Sequence, residues 1–390
     1  MSNFALMKKV YLDNAATTAI RPEVIAEMAA VMAENYGNPS SIHSIGRSAK
    51  AIVENARKTI AGLLGAEARE IIFTSGGTEA NNWIIRSAVK DLKVTRIITS
   101  MTEHHAVLNT VEAVKAEFGI IVDYVNLLPT GGADITHLVT LLSDNVPTLV
   151  SLMHVNNETG VVLDIERVGR ICKQYNAWFH SDTVQSIGKT AINLQEIPAD
   201  FIVASAHKFH GPKGVGFAFV RKNSGLKPML FGGEQEKGLR AGTEAVHQIA
   251  GMEKALLLSV QNIEEEYYYI RSLKQYLQDQ LDMHLPGYKV NGEVNDNQNP
   301  SKSSTTFYTI CNILLPFTED KTAMILFHLD MKGIAVSRGS ACQSGSIKPS
   351  HVLKAIQSDE DARKPSLRIS LSHYNTKEDI DILIEALKTI

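Results

Sequence analysis

The sequence predicts an α/β fold: a large lobe with a mostly parallel sheet covered by helices on both faces, plus a smaller α+β carboxy-terminal lobe. Three observations predict it. Strand-like runs alternate with amphipathic helical stretches from about Ile71 to Val220, as in repeated strand–helix units. Several of the runs are continuously apolar, such as Phe201-Ile202-Val203-Ala204, the pattern of strands covered on both sides. After about Ala245 the alternation gives way to a long helical stretch, followed by shorter strands and helices.

In chain order, the predicted elements begin with the strand Ile71-Ile72-Phe73, the turn Ser75-Gly76-Gly77-Thr78-Glu79 and a helix from about Ala80 to Lys90. Arg96-Ile97-Ile98-Thr99 reads as a strand, Ala106 to Phe118 as a helix and Ile120-Ile121-Val122 as a strand. Leu149 to Met153, Ala177-Trp178-Phe179-His180 and Phe201 to Ala204 are further strands, with a helix from Ile165 to Tyr175 between the first two. The helical stretch after Ala245 carries Glu264-Glu265-Glu266 and Tyr267-Tyr268-Tyr269, read as a solvated face, and Asn291 to Thr306 is an extended loop. Residues 15–255 are assigned to the large domain. Residues 1–14 and 256–390 are assigned to the small one.

Composition limits the function classes. With 390 residues, 44% of them hydrophobic, the chain can bury a large core. A net charge of −3 gives no reason to expect nucleic acid or an anionic membrane as partner. No apolar run approaches the roughly 20 residues that span a bilayer. Lys8-Lys9 followed by Val10-Tyr11-Leu12 lacks a signal-peptide hydrophobic region. A cytoplasmic enzyme is the simplest inference.

The chemistry concentrates around Ser205-Ala206-His207-Lys208 and the following Gly211-Pro212-Lys213-Gly214. Lys208 follows a buried strand, and the carboxyl ends of strands are where open α/β sheets place ligands. An amine there can form an imine with pyridoxal phosphate if a phosphate cradle and an acid for the pyridine nitrogen are also present. Asp182, just after the strand 177–180, is the candidate acid. Ser75 to Glu79 supplies a glycine turn into a helix, a site for an anion. Taken singly, Lys208 reads as a solvated loop residue, Asp182 as a cap and the glycine turn as a plain helix start. Their order along the chain favours the cofactor reading.

These residues lie among motifs that resemble the cysteine desulfurases of the NifS/IscS type, in the class V aminotransferase group, over nearly the whole chain. The matching segments are Tyr11 to Thr18, Gly37 to His43, Thr102-Glu103-His104, His154 to Gly160, Leu239 to Thr243, Gly339-Ser340-Ala341-Cys342 and Ser366 to Ser370. The resemblance implies a fold type I pyridoxal phosphate-dependent transferase that converts L-cysteine to L-alanine and passes the sulfur to an enzyme cysteine, for iron–sulfur cluster or other sulfur-containing cofactor or tRNA biosynthesis. It implies Lys208 as Schiff-base lysine and base, Asp182 as partner of the ring nitrogen and Gln185 as partner of the ring oxygen. His104 would stack on the ring and move protons. Gly77, Thr78, Ser205 and His207 would hold the phosphate, with Thr243 reaching in from a second subunit of a homodimer with shared active sites. Asn157 would contact cofactor and substrate, and Arg368 would grip the substrate carboxylate.

Cysteine usage bears on the activity. The chain has three Cys with no paired spacing, so neither a disulfide framework nor a zinc site is suggested. Cys172 in a helical pattern and Cys311 in an apolar run read as buried hydrophobes. Cys342 lies in the small, polar run Arg338 to Ser346, suited to an exposed loop, and the resemblance makes it the persulfide-forming nucleophile. Adjacent His104 and His105 point in different directions on a helix or strand, so no metal is expected there. Ser372-His373 stands where the family commonly has Gly-Arg. The sequence stops at Ile390 without the extended tail by which IscS-like members dock a scaffold, so the sulfur acceptor stays unidentified. A class V aminotransferase, a selenocysteine lyase and a cofactor-free scaffold remain as alternatives.

Overall fold

The structure is a computed structural model and describes residues 8–293, 306–339 and 350–390. The chain enters with β1 (Val10–Tyr11), then α1 (Pro22–Glu34) and α2 (Ser44–Leu63). The central region follows as β2 (Ile71–Thr74), α3 (Gly77–Lys90), β3 (Arg96–Thr99), α4 (His105–Phe118), β4 (Ile121–Tyr124), α5 (Ile135–Leu142), β5 (Thr148–Ser151) and α6 (Ile165–Gln174). It closes with β6 (Trp178–Asp182), β7 (Phe201–Ser205) and β8 (Gly216–Val220). These strands form a seven-stranded sheet in the order β2-β8-β7-β6-β5-β3-β4.

The sheet is mostly parallel, with β8 running antiparallel to both of its neighbours. Both faces are covered, as the apolar runs predict. In β7, Phe201 and Val203 join the core built with α3 and α4, whereas Ile202 and Ala204 join the core built with α1 and α2. All four side chains are inaccessible to solvent. Burying each of the three larger ones is worth roughly 1.5–3 kcal/mol.

The remaining elements are α7 (Val246–Gln261), α8 (Ile263–His284), β9 (Lys289–Val290), β10 (Ile310–Leu314), α9 (Ile325–Met331), β11 (Ile334–Ala335), α10 (His351–Ile356), β12 (Ser366–Ser370) and α11 (Lys377–Leu387). A three-stranded antiparallel sheet of order β12-β10-β9 carries a separate hydrophobic core with α8, α9 and α11. The amino-terminal strand β1 pairs in parallel with β11 and contributes Val10 to that core, joined by Leu12 just after the strand. Cys172 and Cys311 are buried, in α6 and β10.

Several boundaries differ from the sequence reading. α3 begins at Gly77, so the glycine turn already belongs to the first helical turn. Asp182 is the last residue of its strand. The long helical stretch is two helices broken at Asn262, whose side chain donates back to the Leu258 carbonyl at 2.8 Å. The loop expected from Asn291 to Thr306 lies largely outside the described residues. Among the described residues no helix is long and apolar enough to cross a membrane.

Candidate active site

β3 lies between β4 and β5, so the chain reverses its direction of travel across the sheet there. Crevices at the carboxyl ends of strands near such a reversal are where ligands bind. A cavity of about 240 Å³ opens at the ends of β6 and β7, and the segments after β3 and β5 help to line it. Gly77, Thr78, His104, Asn157, Asp182, Gln185, Ser205, His207, Lys208 and Arg368 all line this cavity.

Lys208 ends a single tight turn, Ala206–Lys208, directly after β7. The Ala206 amide bonds to the Val215 carbonyl, just before β8, at 3.1 Å, and the Gly211 amide folds back onto the Ala206 carbonyl at 2.9 Å. A side chain at 211 would meet that carbonyl oxygen at 2.9 Å, which is why glycine stands there. The Lys208 ammonium donates to the carbonyls of Ala15 and Ala16, both at 2.7 Å. Those carbonyls belong to an amino-terminal strap. Thr18 bonds the His207 carbonyl through its amide at 2.9 Å and its hydroxyl at 3.0 Å.

Asp182 is fixed from two sides. Its Oδ2 accepts from Asn81 at 2.7 Å and its Oδ1 from the Val184 amide at 3.0 Å. Asn81 Oδ1 is buried without a hydrogen-bond partner. Gly77 opens α3 beneath Val184, whose methyl would lie 2.7 Å from any Cβ at 77. The first amides of a helix have no carbonyl of their own helix to reach. Thr78, Ser205 and His207 add hydroxyl and imidazole groups to the cavity lining.

His104 caps α4, its Nδ1 accepting from the Ala106 amide at 3.0 Å. The proton of the neutral ring therefore resides on Nε2. Burial holds its pKa below the ordinary histidine value, with Lys208 adding to the effect and Asp182 opposing it. Burial also pushes His207 down to about 3, helped by the nearby Lys208 charge. Glu103, beside His104, is completely enclosed, and burial raises its carboxyl well above the usual range. Its Oε1 accepts from the Met153 amide at 2.7 Å.

Arg368, in the middle of β12, is 1% exposed. Its Nη1 donates to the Asn157 carbonyl at 2.9 Å and its Nη2 to Asp13 Oδ1 at 2.8 Å, while Nε is buried with no partner. Gln185 donates through Nε2 to the Ala15 carbonyl at 2.9 Å. Lys189 approaches Gln185 Oε1 at 3.3 Å. Burial, then the charges of Lys208 and Arg368, lower the Lys189 ammonium to about 7.

One expected site residue with a described position is not in this cavity. Thr243 is exposed and lies outside the cavity of its own chain. It follows Arg240, which is anchored on Glu79 of α3 at 2.8 and 3.2 Å, just behind the phosphate-type cradle. Cys342 lies outside the described residues. Conversely, Asp13, Asn81 and Glu103 sit inside or beside quoted motifs and received no role. Their partners are distant in sequence, so spacing alone could not reveal them. His373 turns toward Glu266, with His373 Nδ1 3.4 Å from its carboxylate, in a cluster with Arg21 and His210.

The chemistry of the lining fits pyridoxal phosphate. Among the described residues that line the cavity Asp182 is the only carboxylate, and Gly77 and Thr78 at the start of α3 line it too. An acid for a protonated ring nitrogen and a helix amino terminus for a phosphate are thus both present. Arg368 lines the same cavity and brings a guanidinium, a group suited to a substrate carboxylate.

Comparison with known proteins agrees with this geometry. The aminotransferase class-V family matches residues 10–383. The chain is 39% identical to "Cysteine desulfurase IscS" of Dictyoglomus turgidum, covering 99% of this chain and 95% of that one. It is likewise 39% identical to "Cysteine desulfurase IscS" of Clostridium botulinum, covering 98% and 94%. Among solved structures, a NifS-like protein from Rickettsia africae superposes with a TM-score of 0.85 at 36% identity, covering 98% of this chain and 99% of the other. The chain belongs to the aminotransferase class-V family. Within it, the similar proteins cited here are cysteine desulfurases and NifS-like proteins.

Proposed function

We propose that the chain is a pyridoxal phosphate-dependent cysteine desulfurase, converting L-cysteine to L-alanine and transferring the sulfur to Cys342 as a persulfide. The observation that carries this reading is the meeting of Lys208, Asp182 and Arg368 in one cavity beneath a helix amino terminus. The curated relatives of that name support it.

Gly77, Thr78, Ser205 and His207 would hold the cofactor's phosphate, and Asp182, braced by Asn81 and Val184, its ring nitrogen. His104 would pack against the ring and Gln185 reach its oxygen. When bound, the cofactor supplies an aldehyde that condenses with amines and a ring that accepts electrons. Arg368, oriented by Asp13 and the Asn157 carbonyl, binds the carboxylate of L-cysteine, and the Asn157 side chain lies on the same wall. Lys208 removes the proton from the substrate Cα through Nζ. His104, neutral and carrying its proton on Nε2, serves as the second proton-transfer group. The Cys342 thiolate takes the substrate's sulfur: an S–S bond forms as the substrate C–S bond breaks, and the bonding pair stays with the carbon. Protonation of that carbon gives alanine.

In this reading residues 15–255 form the cofactor-holding domain, and residues 1–14 with 256–390 form the domain that brings Cys342. A homodimer with shared sites is supported by Thr243, which projects outside its own cavity, and by Ile42 and Phe231, 90% and 77% exposed on the same chain. Large exposed apolar side chains suit a surface covered by a second copy. Delivery of sulfur to an acceptor protein for iron–sulfur cluster, cofactor or tRNA biosynthesis, in the cytoplasm, completes the proposal.

Mass spectrometry after brief reaction with L-cysteine, with alanine assayed in the same tube, tests it. A reductant-sensitive gain of one sulfur atom on the Cys342 peptide together with alanine is the expected result. Cofactor-loaded protein that yields neither refutes the reading.

A further inference from the structure

The residues that border segment 340–349 on either side come together on one carboxylate. Glu158 is 1% exposed, and its Oε2 accepts a hydrogen bond from the Ser350 hydroxyl. Gly339 packs against the same group: a Cβ there would lie 2.8 Å from Glu158 Oε2 and 3.1 Å from the Ser350 Cβ. Glycine at 339 is thus a condition of the contact. We propose that Glu158 is a positioning residue for sulfur transfer, holding together Gly339 and Ser350, the two points of the chain between which Cys342 falls in sequence. The inference rests on the desulfurase reading above and adds a residue to it.

This junction is tied to the pocket through short connections. The backbone of Ser337, two residues before Gly339, accepts from the Arg368 amide at 2.7 Å. His351, just after Ser350, contacts the Glu103 carbonyl through Nε2 at 2.9 Å, one residue from His104. Glu158 itself sits on a turn closed by Asn156, whose Oδ1 accepts from the amides of Glu158 and Thr159 at 2.9 and 3.0 Å. That turn also presents Asn157 to the cavity and lends its carbonyl to Arg368. On the other side, Asn312 of β10 donates to the Glu158 carbonyl at 3.0 Å. Cys342 is three residues along the chain from Gly339, a contour of about 11 Å. A junction held at Glu158 therefore fixes the chain on both sides of Cys342, while the groups proposed to bind the substrate are held by the same turn.

Ser350 also caps α10, accepting from the amides of Val352 and Leu353 at 3.1 and 3.3 Å. Asn and Asp both keep that cap. Asn can also donate to Glu158, whereas Asp places a second carboxylate against it. The test compares Ser350→Asn with Ser350→Asp in cofactor-loaded protein. One readout is the cofactor absorbance change on adding L-cysteine, the other the rate of persulfide formation on Cys342. Ser350→Asn is expected to stay within about twofold of the parent in both, and Ser350→Asp to keep the first while slowing the second by about tenfold or more, the scale of a lost charge-assisted hydrogen bond. Glu158→Ala, which removes the acceptor without adding charge, should show the same split. Equal persulfide rates in the Asn and Asp variants overturn the proposal. So does an equal slowing of both readouts, which marks a general structural fault. A parent protein that responds to L-cysteine yet forms no persulfide removes the desulfurase reading itself.

Discussion

Arg368 takes its orientation from Asp13. The two side chains meet at 2.8 Å, and the arginine is otherwise enclosed in β12. Asp13→Asn keeps an acceptor oxygen but loses the charge that turns the guanidinium fork toward the cavity. The expected result is a KM for L-cysteine raised about tenfold with a smaller change in kcat, the cost of weakening a charge-assisted hydrogen bond. Steady-state kinetics decides it, and a loss confined to kcat contradicts the assignment. The presence of Lys208 and Asp182 on one cavity was legible, because strand, turn and residue type place them together. Asp13 and Asn81 were not. Each acts on a partner at least a hundred positions away, and nothing local marks a carboxylate as the brace of an arginine in a distant strand.

Glu236 shows how one buried pair holds a functional segment. It accepts from Arg57 at 2.6 and 2.8 Å and from the Phe73 amide of β2 at 2.8 Å, tying the segment that leads to Arg240 and Thr243 onto α2 and the sheet edge. Removing one partner strands a buried charge, so Glu236→Ala should cost about 3–5 kcal/mol, measured by denaturant unfolding. If Thr243 serves the phosphate of a neighbouring subunit, the same variant also binds pyridoxal phosphate more weakly. At this scale the parallel strands and their helices were readable from continuous apolar runs. The reversal of β8 follows from length: ten residues, 206–215, separate it from β7, too few for a helical crossover. The break between α7 and α8 was hidden, because neither glycine nor proline marks Asn262. The early start of α3 was hidden as well, since a glycine pair reads as a turn even when its amides open a helix.

The whole molecule carries a set of histidines that burial keeps neutral. Burial lowers His154 and His180 to about 4, and His207 and His210 to about 3. Unfolded, each binds a proton near pH 6.5. As pH falls below that value the unfolded chain takes up protons that the folded chain refuses, so stability present at neutral pH is lost toward pH 4. A fully titrating group changes stability by up to about 1.4 kcal/mol per pH unit. Glu103, Glu244 and Glu253 work in the opposite direction, since burial raises their carboxyls and favours the fold at lower pH. His104 and His105 are lowered as well, however, so six histidines oppose three carboxyls. The melting temperature should therefore fall steadily from pH 7 to pH 5, as followed by calorimetry. A flat profile over that interval contradicts the buried, neutral assignment.

The contact between Asp13 and Arg368 joins positions 355 residues apart, and Asn14 and Ala15 bond the neighbouring Ser370 at 2.8 Å. The same strap supplies the carbonyls that receive Lys208. Contacts of such sequence separation form late, because the intervening chain must be ordered first. During synthesis the central sheet, with its lysine and aspartate, emerges from the ribosome long before β12 exists to meet the strap. A nascent chain at that stage lacks Arg368, the group proposed to grip the amino acid carboxylate. On the proposed roles, substrate capture thus waits for the carboxy-terminal part of the chain, and a prematurely released fragment carries the lysine without the arginine assigned to bind cysteine.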